Sequence, residues 1–281
     1  MKRLAKTGLL LLLALAIGVV ILASRPAPSL LDGIIWQPTN DYPRPQGQWH
    51  LLGADSLLVQ WSLNDNLAWL PSSQFAPQPR LPDWEALGRE PWASRIILGL
   101  ASRMHLDDAR RHWQRLGQQG AMLVEDVAFP VAGWYAPIEF SPDWRDADAY
   151  RAYLDTLPRP RYVSSYGGYE MTPRGYASWV ASWLPEDAIL LYQDGVGVGR
   201  QTPAQARARA DALAEVLGPS RLIMVMEAFQ LRRDGHLGPA SLSQLIDQLR
   251  SYRGLEVYAF SARHLRTHQV LALRLLAPWL F

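Results

Sequence analysis

Cysteine is absent from all 281 residues. Its absence excludes disulfides, thiol nucleophiles and cysteine-held metals, and it is compatible with an oxidising compartment without requiring one. Lysine is almost absent as well: Lys2 and Lys6 are the only two, so no Schiff-base chemistry is open to the rest of the chain. The formal charge of +2 becomes −1 once Lys2, Arg3 and Lys6 are set aside, which leaves no basic footprint for nucleic acid.

Several chemical signatures are missing too. Gly195, Gly197 and Gly199 stand as D-G-V-G-V-G, without the G-x-G-x-x-G spacing of a dinucleotide loop, and read as a flexible active-site loop. His50, His105, His112, His236, His264 and His268 form no H-E-x-x-H or comparable set. His264 and His268 could share a helix face, although surface or core roles explain them more simply. No G-x-S-x-G is present. Neither a metal nor a cofactor is expected.

What is there begins with a basic start, Lys2, Arg3 and Lys6, followed by an uncharged and mostly apolar run over 7–24. Its 18 residues exceed a usual signal-peptide core and just reach bilayer-spanning length. Cleaved signal peptide and retained anchor both fit. Small residues at Ala23 and Ser24 would suit cleavage, but the A-x-A pattern is missing, which tilts the reading toward an anchor. The basic flank holds the N-terminal side in the cytoplasm, so the bulk of the chain is expected to be exported to the periplasm, attached to the inner membrane if 7–24 is kept. A buried internal helix is the alternative for this run. Residues 25–32 follow as a proline-containing spacer.

The remaining stretch, 33–281, alternates apolar runs with helical patterns. Eight strands are expected, at 33–37, 56–62, 95–101, 133–140, 162–167, 188–194, 222–229 and 255–261. Most are continuous apolar runs, as parallel strands buried on both faces should be. Helical periodicity falls at 106–116, 146–157, 172–184, 202–217, 241–252 and 267–280. Thr172-Pro173 and Thr202-Pro203 each read as an N-cap followed by proline. This β-then-α order over a domain of this size predicts an α/β fold, a single (β/α)8 TIM barrel behind an N-terminal hydrophobic targeting or anchor helix. A doubly wound open sheet is the alternative. Two places fit less well: the first two strands leave room for a turn or two of helix at 46–52, and 121–132 could be loop, helix extension or extra strand. The helix carrying Arg207 and Arg209 reads as a solvated outer face.

In such a barrel the active site forms at the carboxyl ends of the strands. Three carboxylates end apolar runs there: Glu139 in W-Y-A-P-I-E-F, Asp194 in L-L-Y-Q-D-G and Glu227 in I-M-V-M-E-A-F. A carboxylate in that position is costly unless paired or functional. For each one alone, a salt bridge or a helix cap is an equal explanation; three at one rim favour chemistry. Glycoside hydrolysis needs two carboxyl groups, one protonated and one ionised, and Glu139 with Glu227 could supply them. Aromatic and amide side chains gather at the same ends: Trp36, Gln37, Gln60, Trp61, Trp134, Tyr135, Tyr166, Tyr192, Gln193 and Phe260. This mixture suits a saccharide, whose C–H faces stack on rings and whose hydroxyls need hydrogen-bond partners. With 12 Trp and 11 Tyr in the chain, about half of these aromatics should instead pack in the core.

At W-Q-P-T-N-D (Trp36 to Asp41), L-V-Q-W (Leu58 to Trp61), G-W-Y-A-P-I-E (Gly133 to Glu139) and Y-Q-D-G-V-G (Tyr192 to Gly197), the chain resembles a bacterial domain family of unknown function whose members look like exported barrels related to glycoside hydrolases. The likeness runs over nearly the whole of 33–281. More distantly, glutamates on the fourth and seventh strands resemble those of the large clan of retaining glycosidases on this fold. That resemblance implies Glu139 as acid/base and Glu227 as nucleophile. The clan carries Asn before its acid/base glutamate, where this chain has Ile138; Asp194 therefore stays open as partner of Glu139. The expected function is hydrolysis of a cell-envelope or extracellular polysaccharide. A catalytically silent polysaccharide-binding barrel at the membrane, or a transglycosylase, is the alternative.

Overall fold

The computed structural model describes residues 29–280. The expected targeting helix at 1–24 and most of the spacer lie outside the described residues. Among the described residues, no helix is long and apolar enough to cross a membrane.

All eight expected strand positions carry strands of one closed parallel barrel. They are β1 (Gly33–Trp36), β2 (Ser56–Val59), β3 (Arg95–Gly99), β4 (Gly133–Phe140), β5 (Arg161–Ser165), β6 (Ala188–Gln193), β7 (Leu222–Glu227) and β8 (Glu256–Phe260). Each pairs with its sequence neighbours, and Gly33 to Ile35 of β1 pair with Tyr258 to Phe260 of β8 to close the ring. Closure excludes the open doubly wound sheet. It also divides the core in two, because successive side chains along a strand point to opposite faces. Ile35, Leu58, Ile97, Tyr135, Tyr162, Leu191, Ile223, Val225 and Tyr258 fill the barrel interior. A larger layer, including Trp36, Val59, Leu98, Trp134, Tyr192 and Met226, packs outward against the helices.

The helices follow their sequence signals. Thr172 caps Pro173–Trp183 by accepting the Gly175 N–H, and Thr202 with Gln205 forms a reciprocal capping box at the start of Pro203–Leu217; such caps contribute about 1 kcal/mol each. The first connection holds only a 3-10 turn, Trp49–Leu52. Of the ambiguous stretch, the helix Trp113–Asp126 takes the first part and a loop the rest. Two small features carry no sequence signal of their own. One is a four-stranded sheet of two-residue strands (Leu63–Asn64, Leu67–Ala68, Ala76–Pro77 and Ala101–Ser102). The other is a hairpin of Phe229–Leu231 with Leu237–Pro239 after β7.

Behind β4, Phe140 stacks on Tyr150 (4.6 Å between centroids) and meets the edge of Trp183 (4.7 Å). Phe140 thereby fixes the outward side of the strand end, and the adjacent Glu139 is turned inward.

Candidate active site

A small cavity opens at the carboxyl end of the barrel, lined by Ile35, Leu58, Gln60, Tyr135, Glu139, Ser164, Leu191, Gln193, Val225 and Phe260. Its two sides differ. Glu139, Ser164, Gln193 and Tyr135 make a polar wall from β4, β5 and β6, whereas Val225, Phe260, Ile35 and Leu58 make an apolar one from β7, β8, β1 and β2. One polar group stands on the apolar side: the Oε1 of Gln60 is buried and has no hydrogen-bond partner.

Glu139 is partly buried, and its Oε1 accepts a hydrogen bond from Gln193 Nε2 at 2.7 Å. Burial raises its pKa above the ordinary carboxylate value, against smaller opposing effects of the Gln193 amide and the Arg110 charge. Arg110 supports the strand end rather than the carboxylate. Its Nη2 donates to the Glu139 carbonyl at 3.3 Å and to Ser141 Oγ, and its ion pairs go to Asp143 and Asp107. Sequence reading did not single out Arg110, because an arginine in a helical pattern carries no mark of reaching across to a strand.

Glu227 has 2% of its surface exposed. Its Oε2 accepts the Val198 N–H at 3.1 Å. Burial first, and the neighbouring Asp194 charge second, push its pKa up to about 8. The glycine run after β6 explains itself here. A Cβ on Gly197 would lie 2.4 Å from the Phe229 carbonyl and 2.9 Å from the Glu227 Cβ, and Gly195, at φ +62, lies under the Tyr169 ring. Glycine lets this backbone close onto Glu227.

Asp194 is turned the other way. It is fully buried on the outward side of β6, where Oδ1 accepts the Val196 and Glu227 N–H groups (3.0 and 3.3 Å) and Oδ2 accepts Gln248 Nε2 and the Tyr252 hydroxyl (2.8 and 2.7 Å). Its carboxylate is spent on the protein, and it does not line the cavity.

The other expected residues divide by the same alternation. Gln60, Tyr135, Gln193 and Phe260 line the cavity. The Tyr135 hydroxyl lies 2.6 Å from Ser164 Oγ, and Phe260 meets Phe229 edge-on at 5.9 Å. Tyr166 borders an adjoining open groove with Arg110, Asp143, Tyr169, Glu170 and Arg200. Trp36, Trp134 and Tyr192 pack in the outer layer: Trp36 donates to the Tyr42 carbonyl, and the Tyr192 hydroxyl accepts from Gln201. Trp61 is buried, and Gln37, one position past β1, is partly buried; neither lines the cavity. Arg209, expected on a solvated face, is 4% exposed and donates to the carbonyls of Gly168, Tyr169 and Met171. It holds the loop that carries Tyr169. Among the described residues, no cluster of His, Asp or Glu could hold a metal ion.

No protein-family model matches the chain. YbcH, an uncharacterised protein of Escherichia coli K12, is 25% identical over 234 residues, covering 72% of this chain and 77% of its own. Two solved structures share the fold. A Bacteroides thetaiotaomicron protein provisionally named an alpha-L-fucosidase superposes with a TM-score of 0.64 at 15% identity, over 91% of this chain and 94% of its own. The glycoside hydrolase domain of PgaB (BpsB) from Bordetella bronchiseptica gives 0.51 at 13% identity, over 86% and 98%.

Proposed function

We propose that this barrel is a glycoside hydrolase of a cell-envelope or extracellular polysaccharide, working through two carboxylates. The observation that carries the reading is the inward pair at the strand ends. Glu139 and Glu227 close β4 and β7, both have pKa values raised by burial, and the Glu139 charge adds to the cost of ionising Glu227. Barrel neighbours named for glycoside hydrolysis point the same way.

In this reading Glu139, on the cavity wall, protonates the departing glycosidic oxygen as the bond to the anomeric carbon breaks. Glu227 meets the positive charge that develops on that carbon. It either bonds to the carbon, to be displaced by water, or takes a proton from the attacking water; the product keeps the water oxygen. The Val198 N–H favours the ionised form of Glu227. Gln60, Gln193 and Tyr166 would bond sugar hydroxyls, and Phe260 would meet a C–H face. With Glu227 titrating near 8, one limb of a bell-shaped pH profile should fall there.

The test is release of reducing ends from cell-envelope and extracellular polysaccharides. Glu139→Gln should lower turnover on the order of 10²–10⁴-fold while the melting temperature holds. Near-normal turnover would overturn the assignment. A silent binding barrel is favoured by one feature, the near-complete covering of Glu227. It predicts that a polysaccharide binds equally well to the Glu139→Gln/Glu227→Gln double variant and that no reducing ends appear. A transglycosylase would instead give longer products when an acceptor sugar is added.

We further propose export to the periplasm through residues 7–24. The N-terminal mass of protein recovered from periplasmic and membrane fractions separates cleavage from anchoring, and recovery in the cytoplasm alone would refute both.

A further inference from the structure

Resting on the reading of Glu227 as the second carboxylate, we propose that Asp194 is a positioning residue: a buried post that ties the 195–200 loop to the backbone of Glu227 and so holds the Val198 N–H on the Glu227 carboxylate.

The tie is visible in which groups share one oxygen. Asp194 Oδ1 accepts both the Val196 N–H, at the start of the loop, and the Glu227 N–H, from the neighbouring strand. Two residues after Val196, the Val198 N–H reaches Glu227 Oε2 at 3.1 Å. Loop and glutamate are thus joined twice, through Asp194 on the outer side of the strands and through Val198 on the inner side. The other oxygen anchors the post in the helix layer, on Gln248 of the helix Leu242–Ser251 and on Tyr252 at its end. Gln201 secures the far end of the loop, donating to the Tyr192 hydroxyl and to the Asp194 carbonyl, both at 2.8 Å. Further bonds brace the loop from within and outside: Arg200 N–H to the Gly195 carbonyl at 2.9 Å, and Leu231 N–H from the hairpin to the Gly197 carbonyl at 2.8 Å.

An uncharged residue could cap a loop. What a carboxylate adds is a negative charge behind Glu227 in a poorly solvated place, where charge is felt strongly. Burial raises the Asp194 pKa, and the hydrogen bonds from Val196, Tyr252, Gln248 and Glu227 oppose that rise and favour the ionised form. The titratable groups facing Glu227 are Asp194 from the end of β6, Glu139 from β4, Tyr169 from the loop after β5 and Tyr252 from the end of the helix Leu242–Ser251. All of them are acids, so the charge that Asp194 keeps is answered by hydrogen bonds and not by a cation. Asp194 thereby sets both where the Glu227 carboxylate sits and how readily it ionises.

Three readouts on the full-length protein test this. Hydrogen exchange at the Val196 and Val198 amides should quicken at least about tenfold in Asp194→Ala, which removes the tie. Asp194→Asn keeps an oxygen for both N–H groups but loses the charge. Its loop amides should stay protected, while the titration midpoint of Glu227, read from its labelled carboxyl carbon and assigned with Glu227→Gln, falls by about one pH unit or more. On a polysaccharide that the wild-type protein cleaves, the pH limb near 8 should move down with it, KM unchanged. Val180→Ala, a core truncation in the helix Pro173–Trp183, controls for general loss of stability. Unchanged exchange and an unchanged midpoint would overturn the proposal, as would Val180→Ala reproducing both effects. If the wild-type protein cleaves no polysaccharide, the hydrolase reading fails, while exchange and carboxyl titration still decide the role of Asp194.

Discussion

On the outward side of β6, Asp194 accepts four hydrogen bonds from Val196, Glu227, Gln248 and Tyr252. Arg161, on the outward side of β5 and 1% exposed, is also heavily partnered: its Nη2 donates to both Asp187 oxygens (2.7 and 2.8 Å) and its Nη1 to Asp155 and the Leu154 carbonyl, with Nε left without a partner. The inward side of the same wall is provisioned differently. Glu139 has one side-chain donor, and the arginine beside it bonds to its carbonyl. Glu227 has the backbone N–H groups of Val198 and Gly197 and an unfavourable neighbouring charge. Buried charge is expensive unless it is fully partnered. Where a buried charge has several partners and no cavity beside it, the group belongs to the scaffold; Glu139, with one side-chain donor on a cavity wall, is left open to an incoming polar ligand.

The largest effect that could break this division is on its outward side. Trp36 is fully buried, donates to the Tyr42 carbonyl at 3.1 Å and packs near Trp84. Trp36→Ala should cost about 3–5 kcal/mol of stability in urea unfolding, with turnover per folded molecule unchanged. Turnover that collapses at full stability would mean that Trp36 reaches the substrate and that the division by strand face fails.

Next comes the partnered charge. Asp187→Ala leaves Arg161 with Asp155 and the Leu154 carbonyl alone. Breaking a buried pair costs about 3–5 kcal/mol, and the partial exposure of Asp187 brings the expected loss down to about 2 kcal/mol. The hydrogen bonds from Arg161, and then those from Arg159, pull the Asp187 pKa down to about 2 from its ordinary 3.8. The folded-state value is the lower one, so this contribution is complete above about pH 4 and disappears as pH falls toward 2. Wild-type protein and Asp187→Ala should therefore converge in stability across that interval. A difference that persists at pH 2 would assign the effect to packing.

The same division explains what could be read in the sequence. Eight strand positions were legible because buried parallel strands are long apolar runs, and the threonine-proline caps marked two helix starts. Apolarity on both faces is also what hid the direction of each strand end. In G-W-Y-A-P-I-E-F no alternation tells Trp134 from Tyr135 or Glu139 from its neighbours, and in L-L-Y-Q-D-G none separates Gln193 from Asp194. The composition of the rim was therefore readable, and its facing was not. The two-residue strands at Leu63–Asn64 and Leu67–Ala68 are too short to show any period. Arg209 looked solvated because its three carbonyl partners, Gly168, Tyr169 and Met171, belong to a loop about 40 residues earlier that only the closed barrel brings near.

The smallest effect sharpens the inward side. Gln193 Nε2 donates to Glu139 Oε1, a bond that favours the ionised carboxylate and opposes the effect of burial. Gln193→Leu removes the donor at similar volume, so the Glu139 pKa should rise further, by about one pH unit for a hydrogen bond to a charged acceptor. If Glu139 is the group that must be protonated, the limb of the pH profile that belongs to it moves to higher pH by that amount, and turnover at neutral pH changes by about tenfold or less. The limb near 8, set by Glu227 and Asp194, should stay where it is in this variant and move in Asp194→Asn. If instead Gln193→Leu moves the limb near 8 and leaves the other in place, the titrations have been assigned to the wrong glutamates, and the proton donor is Glu227.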